Sequence, residues 1–412
     1  MRILLLTPMV PRRDGAGAIP ILLHAELVGL CERHEVTLVT AAGDGPGESE
    51  AAAALADEGF DVHVADRRRP PPGLERWRRR LRLAGTWARG QWPWRTVWFA
   101  DPAVQTLLDR LAAERRFDLA AVEDSAMSVF RLPSGLPAVL TEHEVRRPRR
   151  VEWRPGPPSA WPRWAFRELD WRRWERFQRR SWQRFERVQV FSRRDAEAIA
   201  ALAPEVGGSV RVNPFGIDMP GEVDAMREEA GCVLFVGDFT HYPNRDAATW
   251  LAREIMPAVR ARYPEARLRL VGNAPPREVR RLAGPRVELI ADAPSIAPHL
   301  DAASVVAAPL RTGGGMRMKV LQALAGGKAV VTTSRGAEGF AELEQPLPFV
   351  VADDTAAIAA AVADLLADAE ERSALGRKGR AFAERHHTPA AWAARLEAVY
   401  AEAREGRVES IA

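Results

Sequence analysis

Three consecutive glycines followed at once by two cations, Gly313, Gly314 and Gly315 with Arg317 and Lys319, are the residues of this chain best placed to do chemistry. They lie in PLRTGGGMRMKVLQALAGGKAVVTTSRGAEGF, residues 309–340, between an apolar run at 305–308 and a helix-period stretch. Cations are disfavoured at a helix N-terminus by roughly 0.3–1 kcal/mol each, because the backbone dipole already puts positive charge there. Two of them behind a loop stripped of side chains make sense if an anion completes the site. Bare glycine backbone lets N–H groups come close to a phosphate, and the helix end adds unsatisfied donors. A plain strand-to-helix turn with two solvated basic residues is the alternative for this segment alone.

The elements that must position these residues are legible as a repeating pattern. Short apolar runs at 3–7, 36–39, 62–64, 119–122, 138–141 and 188–191 read as buried strands, and those at 233–236, 268–271, 287–290, 305–308 and 329–332 do the same. Helix-period stretches separate them, which predicts parallel sheets with right-handed crossovers. The expected fold class is therefore α/β, with two doubly wound domains. The turn-rich run Asn213-Pro214-Phe215-Gly216-Ile217-Asp218 marks the break, giving domains at 1–212 and 213–388. A closing helix follows at 389–412, with Thr388 as N-cap, Pro389 in the first turn and an apolar stripe of Trp392, Leu396 and Val399. It either packs on its own domain or crosses back to the first.

Ligands of open α/β sheets gather at the carboxyl ends of the strands. Four further loops there carry candidates: Gly15 and Gly17 after the first strand, Gly237 with Asp238 and Asn244, Gly272 with Asn273, and His143 flanked by Glu142 and Glu144. Three loops of the second domain would meet at one crevice suited to a nucleoside diphosphate. His143 reads equally well as an acid–base group or as a structural histidine paired with its neighbours. His386 and His387 precede the closing helix without a third ligand, so a capping or surface role is expected rather than a metal.

Composition limits the rest. The chain has 412 residues, a net charge of +4, and two distant cysteines, Cys31 and Cys232, expected as free thiols in a reducing, cytoplasmic setting. No apolar run is long enough to span a membrane, and no signal peptide is read at the start. Only three lysines occur, Lys319, Lys328 and Lys378, and two of them fall in 309–340. Eleven of the thirteen tryptophans lie between Trp77 and Trp182, interleaved with arginines. Residues 163–187 read as a core-facing helix with solvated arginines, and 74–98 is the better candidate for contact with an anionic membrane. No nucleic-acid recognition motif accompanies the basic charge, so no nucleic-acid partner is expected.

At these residues the chain resembles glycosyltransferase family 4, in the subgroup with a Gly-x-Arg-x-Lys-Val-Leu-Glu-Ala pattern and a trailing Gly-Ala-Glu-Gly. LFVGDFTHYPNRDAATWLAREIMP, residues 234–257, resembles that subgroup's Pro-Asn-x-Asp segment, VLTEHEV its acceptor-side motif, and RVNPFGID its interdomain linker. The resemblance implies two Rossmann-like domains facing a cleft (GT-B) and a retaining, metal-independent transfer of a hexosyl group from a nucleotide-diphosphate sugar to a hydroxyl acceptor. The product would be a glycan, a lipid-linked intermediate or a natural product, and no cofactor is called for. By the same resemblance Gly313, Gly314, Gly315, Arg317, Lys319 and Val320 hold the diphosphate, Gln322 sits by the ribose, and Glu338 lies near sugar or ribose. Gly15, Gly17, Gly237, Gly272 and Asn273 border the donor, and Glu142 and His143 face the acceptor. Catalysis would rest on His143, Arg317 and Lys319. Two departures stand out. The family's pair of glutamates reads Gly314 and Gln322 here, and the positions of two further cations read Asp238 and Asn244. The alternatives are a GT-B-like nucleotide-sugar epimerase and a non-catalytic nucleotide-binding homologue. The expected location is cytoplasmic, with peripheral contact at the inner membrane face as a further expectation.

Overall fold

The computed structural model describes residues 1–13, 17–42, 47–66, 73–90, 92–145, 161–221 and 227–411. The chain groups into two compact units, Met1–Pro11 with Leu27–Asn213 and Ala394–Ala412, and Arg12–Glu26 with Pro214–Ala393. Arg12–Glu26 groups with the second unit, although the sequence places it in the first domain at 1–212. Within that unit the His24 ring, almost fully buried, meets the Asp218 carboxylate at 2.7 Å.

In the first unit seven parallel strands, β1 (Arg2–Leu6), β2 (Glu35–Ala42), β3 (Asp61–Asp66), β4 (Leu119–Glu123), β5 (Ala138–Glu142), β6 (Arg187–Val190) and β7 (Val210–Val212), run in the order 3-2-1-4-5-6-7. Ile3 pairs with Val36 on one side and Leu119 on the other. Residues 3–6, with β4 and β5 entire, are buried, as expected of apolar runs covered on both faces. The helices of this unit are α1 (Ala18–Cys31, which starts in the second unit), α2 (Glu48–Asp57), α3 (Leu74–Ala88), α4 (Trp94–Phe99), α5 (Pro102–Glu114), α6 (Trp161–Trp182) and α7 (Arg193–Leu202). The core-facing reading of 163–187 holds only for the second half of α6 and the turn after it: Trp174, Gln178, Trp182 and Phe185 are buried, whereas Phe166 and Leu169 in the first half are 39% and 43% exposed.

The second unit repeats the plan. Strands β8 (Cys232–Val236), β9 (Arg267–Gly272), β10 (Val287–Ala291), β11 (Val305–Ala308), β12 (Ala329–Thr332) and β13 (Val350–Val351) form a parallel sheet ordered 10-9-8-11-12-13. The chain therefore reverses direction across the sheet between β8 and β11, the place where ligands of such folds collect. Between the strands lie α8 (Tyr242–Trp250), α9 (Met256–Arg262), α10 (Arg277–Arg280), α11 (Ala297–Ala302) and α12 (Met318–Ala325). Helices α13 (Thr355–Ala367), α14 (Ala369–His386) and α15 (Pro389–Ile411) follow. A single widened turn, Leu251–Ile255, joins α8 to α9 just ahead of Pro257, whose missing N–H cannot close a regular helical bond.

Every strand expected from the sequence is present. Two further strands that the sequence does not announce, β7 and β13, each lie at one edge of their sheet, three and two residues long and only partly buried, too short to carry a pattern. The closing helix takes the crossing alternative. Thr388 Oγ1 caps it by accepting from the Ala391 amide at 3.1 Å, Trp392 and Leu396 are fully buried, and the units change at Ala394. Beyond that point Glu397 meets Arg33 and His34 at 3.1 and 3.0 Å, and Glu402 meets Arg187 and Arg211 at 3.0 and 2.6 Å.

The strand ends at the reversal point are crossed by backbone at very short range. A Cβ built on Gly272 would lie 1.7 Å from the Gly237 carbonyl oxygen. Gly272→Ala is therefore expected to part β8 from β9 and cost at least about 1–3 kcal/mol, read as a lower urea midpoint at unchanged slope. A midpoint equal to that of the parent chain would mean this approach is not fixed.

Candidate functional site

The β11 strand delivers the chain to Pro309 at the reversal point, and the bend that follows requires glycine. Gly313 and Gly315 have φ of 100° and 72°, left-handed values that side chains resist. A Cβ on Gly313 would also press on Pro243 at 3.2 Å and on the Arg317 guanidinium at 3.3 Å. Helix α12 then starts at Met318, with Arg317 as its extended N-cap, so Lys319 alone of the two cations is inside the first turn. The helix is held by its other face: Val320, Leu321, Ala323 and Leu324 are fully buried. It stops at Gly326-Gly327, where Gly327 (φ 62°) and the Lys328 amide close a left-handed C-cap.

The two cations are fixed in different ways. Arg317 turns back and donates to the Gly314 carbonyl, clasping the bend. Lys319 Nζ donates to Asn244 Oδ1 at 2.5 Å, with the ammonium 4.4 Å from the centre of the Phe235 ring. Gly237 leaves the space for this: a Cβ there would sit 2.9 Å from Asn244 Cγ and 3.1 Å from Lys319 Nζ. Burial of the ammonium, reinforced by Arg317 and opposed by Asp238, pushes the Lys319 pKa down to about 7. One more polar group points the same way. The Thr312 hydroxyl, at the entry to the bend, is buried without a hydrogen-bond partner, a deficit that a ligand oxygen would remove.

The remaining expected donor residues divide. Gly237 and Gly272 meet at the ends of β8 and β9, and the Asn273 carbonyl accepts from the Phe239 amide at 3.1 Å. Gln322 is partly exposed on α12 one turn beyond Lys319. Val320 has its side chain in the core and its amide bonded to the Arg317 carbonyl at 3.0 Å. Glu338 pairs with Arg335 at 2.6 Å and lines a cleft of about 360 Å³ with Leu310, Arg311, Thr333, Ser334 and Asp353. Gly17 has φ of 104°, and Gly15 lies outside the described residues.

At the strand ends of the first unit, His143 Nε2 meets the Glu123 carboxylate at 2.6 Å, and its ring stacks 5.8 Å from Phe191. Its carboxylate partner is thus Glu123, twenty residues away and one strand over, in place of the sequence neighbours Glu142 and Glu144. Glu142 turns inward: Ser125 and Trp182 Nε1 donate to it, the latter at 3.0 Å, and it is almost fully buried. Burial, then the nearby Asp124 charge, raises its pKa to about 8, so near neutrality it carries a proton. Among the described residues no cluster of His, Cys, Asp and Glu is arranged to hold a metal ion. His386 pairs with Glu344 and His387 bonds the Phe215 carbonyl. Thr312, Glu123 and the cleft around Arg311 were not singled out in the sequence. Only Thr312, next to the triple glycine, carried a local signal.

Residues 230–368, which run from β8 through α13, match the family model described as Glycosyl transferases group 1. No curated protein sequence matches the chain. Among solved structures, sucrose-phosphate synthase from Thermosynechococcus elongatus superposes with a TM-score of 0.66 at 17% identity, over 97% of this chain and 98% of the other. Anabaena Alr3699/HepE in complex with UDP-glucose gives 0.65 at 14%, over 97% and 99%. A glycosyltransferase from Rickettsia africae gives 0.60 at 9%, over 98% of each. The fold is GT-B. At such identities the likeness extends to architecture, two parallel-sheet α/β domains.

Lys319 yields a signed expectation. Above about pH 7 it is neutral in the free protein, and a bound diphosphate favours its charged form. Binding of a nucleoside diphosphate near pH 8 should then take up a proton, and affinity should fall as pH rises through the window above about 7. Calorimetry in buffers of different ionisation enthalpy reads this directly. Lys319→Met is expected to abolish the uptake, and equal uptake in parent and variant would rule out Lys319 as its source.

Proposed function

We propose that this protein is a glycosyltransferase that moves a sugar, of hexosyl type, from a nucleotide-diphosphate sugar to a hydroxyl acceptor. The observation that carries the proposal is the glycine bend at the reversal point of the second sheet, with Arg317 clasped to the Gly314 carbonyl and Lys319 bonded to Asn244. The family match to 230–368 covers this whole construction. The structural relatives described as complexes with UDP, UDP-glucose and UDP-2-fluoro glucose support a nucleotide-sugar donor for the same fold.

The chemistry follows from the charges. Cleaving a glycosyl–phosphate bond leaves negative charge on the departing diphosphate. In this reading Arg317, Lys319 and the first amides of α12 meet that growing charge, the type of contribution that usually weighs most. Because these cations belong to the chain and no Asp-x-Asp pair stands at a strand end, the proposed reaction needs no metal and no cofactor. The retaining stereochemistry is proposed with it, from the resemblance. Gln322 in the place of a glutamate can still bond a ribose hydroxyl, with a neutral rather than a charged acceptor. His143, oriented by the buried Glu123, is the proposed group on the acceptor side, receiving the hydroxyl proton.

Two substitutions separate these roles. Arg317→Ala with Lys319→Ala should weaken nucleoside-diphosphate binding by about 100-fold, the loss expected for two charge-assisted contacts. His143→Ala should leave that affinity intact and lower kcat by at least about 100-fold. Unchanged donor affinity in the double variant would overturn the diphosphate assignment. Product formed from donor alone, with no acceptor present, would instead indicate an epimerase.

A further inference from the structure

Helix α3 is amphipathic with its apolar side turned the wrong way for a core helix. Leu74, Trp77 and Leu81, spaced i, i+3, i+7, form one stripe, and they are 65%, 60% and 53% exposed. The opposite side, with Leu83 and Trp87, is the partly buried one. Its orientation is fixed by α6: Trp87 Nε1 donates to Asp170 at 2.7 Å, its ring lies 4.6 Å from Phe166, and the Arg173 guanidinium sits 4.2 Å over it. On the side of α3 that α6 grips, Phe166, 39% exposed, also meets the edge of Trp94, which is 38% exposed.

The charge on this element is one-sided. Its sequence holds Arg76, Arg78, Arg79, Arg80 and Arg82 against one acid, Glu75, and Arg78 and Arg82 are exposed beside the stripe. Among the described residues no helix is long and apolar enough to cross a membrane. A short helix with exposed leucine and tryptophan on one side and arginines around it fits the boundary of an anionic bilayer. There the apolar side chains enter the acyl edge and the guanidinium groups meet lipid phosphates.

We propose that α3 is a membrane-docking element, laid flat on an anionic lipid surface with Leu74, Trp77 and Leu81 inserted. A second copy of the chain is disfavoured on this face, because pairing would set arginine-rich helices against each other. Nucleic acid would engage the arginines but has no use for exposed Leu74 and Leu81.

Flotation of the full chain tests this with mixed phosphatidylcholine–phosphatidylglycerol vesicles and with phosphatidylcholine alone. The parent protein should float with the anionic vesicles and not with the neutral ones, and rising salt should release it. Trp77→Ser with Leu81→Ser should lower the partition by about 10-fold or more, while Trp77→Phe retains it. Both residues are exposed, so the melting temperature should not move, which separates lost docking from lost folding. The proposal is overturned if the parent protein ignores anionic vesicles, binds neutral ones equally well, or floats as well with both serines in place. It is also overturned if the serine variant changes oligomeric state and the parent does not bind vesicles.

Discussion

The contact between the Lys319 ammonium and Asn244 Oδ1 organises the candidate site. A cation has been drawn into the first turn of α12, where the helix dipole and Arg317 both oppose it. One neutral oxygen at 2.5 Å and the face of Phe235 are the compensation at close range. Both partners come from the opposite side of the reversal point, Phe235 from β8 and Asn244 from α8, and Gly237 must lack a side chain for them to meet. The positive φ values of the bend, the narrow approach at Gly272 and the lowered lysine pKa fit one proposed demand: positive charge kept close to a surface that an anion would complete.

That demand also accounts for the division of labour between the two cations. Arg317 cannot lose its proton in this range, and it spends part of its bonding on the Gly314 carbonyl, so it shapes the bend while remaining charged. Lys319 can change state. A site with one permanent and one conditional positive charge avoids the full cost of two buried like charges in the free protein. It can still present both to a diphosphate. In the first unit the same economy takes another form, with Glu142 kept protonated inside the sheet while Glu123 holds His143.

Much of this was legible in the residues. The eleven short apolar runs became strands because parallel strands covered on both faces leave an unbroken apolar signature, although the edge strands β3 and β10 are only partly buried. The glycine bend was legible because positive φ and close approach select one residue type. What could not be read is set by contacts across distance. Glu123 becomes the partner of His143 only because β4 and β5 are neighbours in the sheet, and Arg12–Glu26 joins the second unit through contacts such as His24 with Asp218. The exposure of α3 was partly readable from the arginines around Trp77 and a less regular apolar period, but the side that faces water depends on the grip of α6 on Trp87. Val320 shows the opposite error. A motif position looked like a ligand contact, yet its side chain serves the core and its amide serves the turn.

The central claim is that Lys319 waits half-discharged for a diphosphate, and it is open to direct measurement because the chain has only three lysines. Side-chain NMR of labelled lysine, with Lys319→Arg to assign the signal, would follow its titration with and without a nucleoside diphosphate. The account predicts a midpoint near 7 in the free protein and a clear rise when the diphosphate binds. A midpoint near the ordinary 10.5 in the free protein, or one that the diphosphate leaves in place, would contradict it.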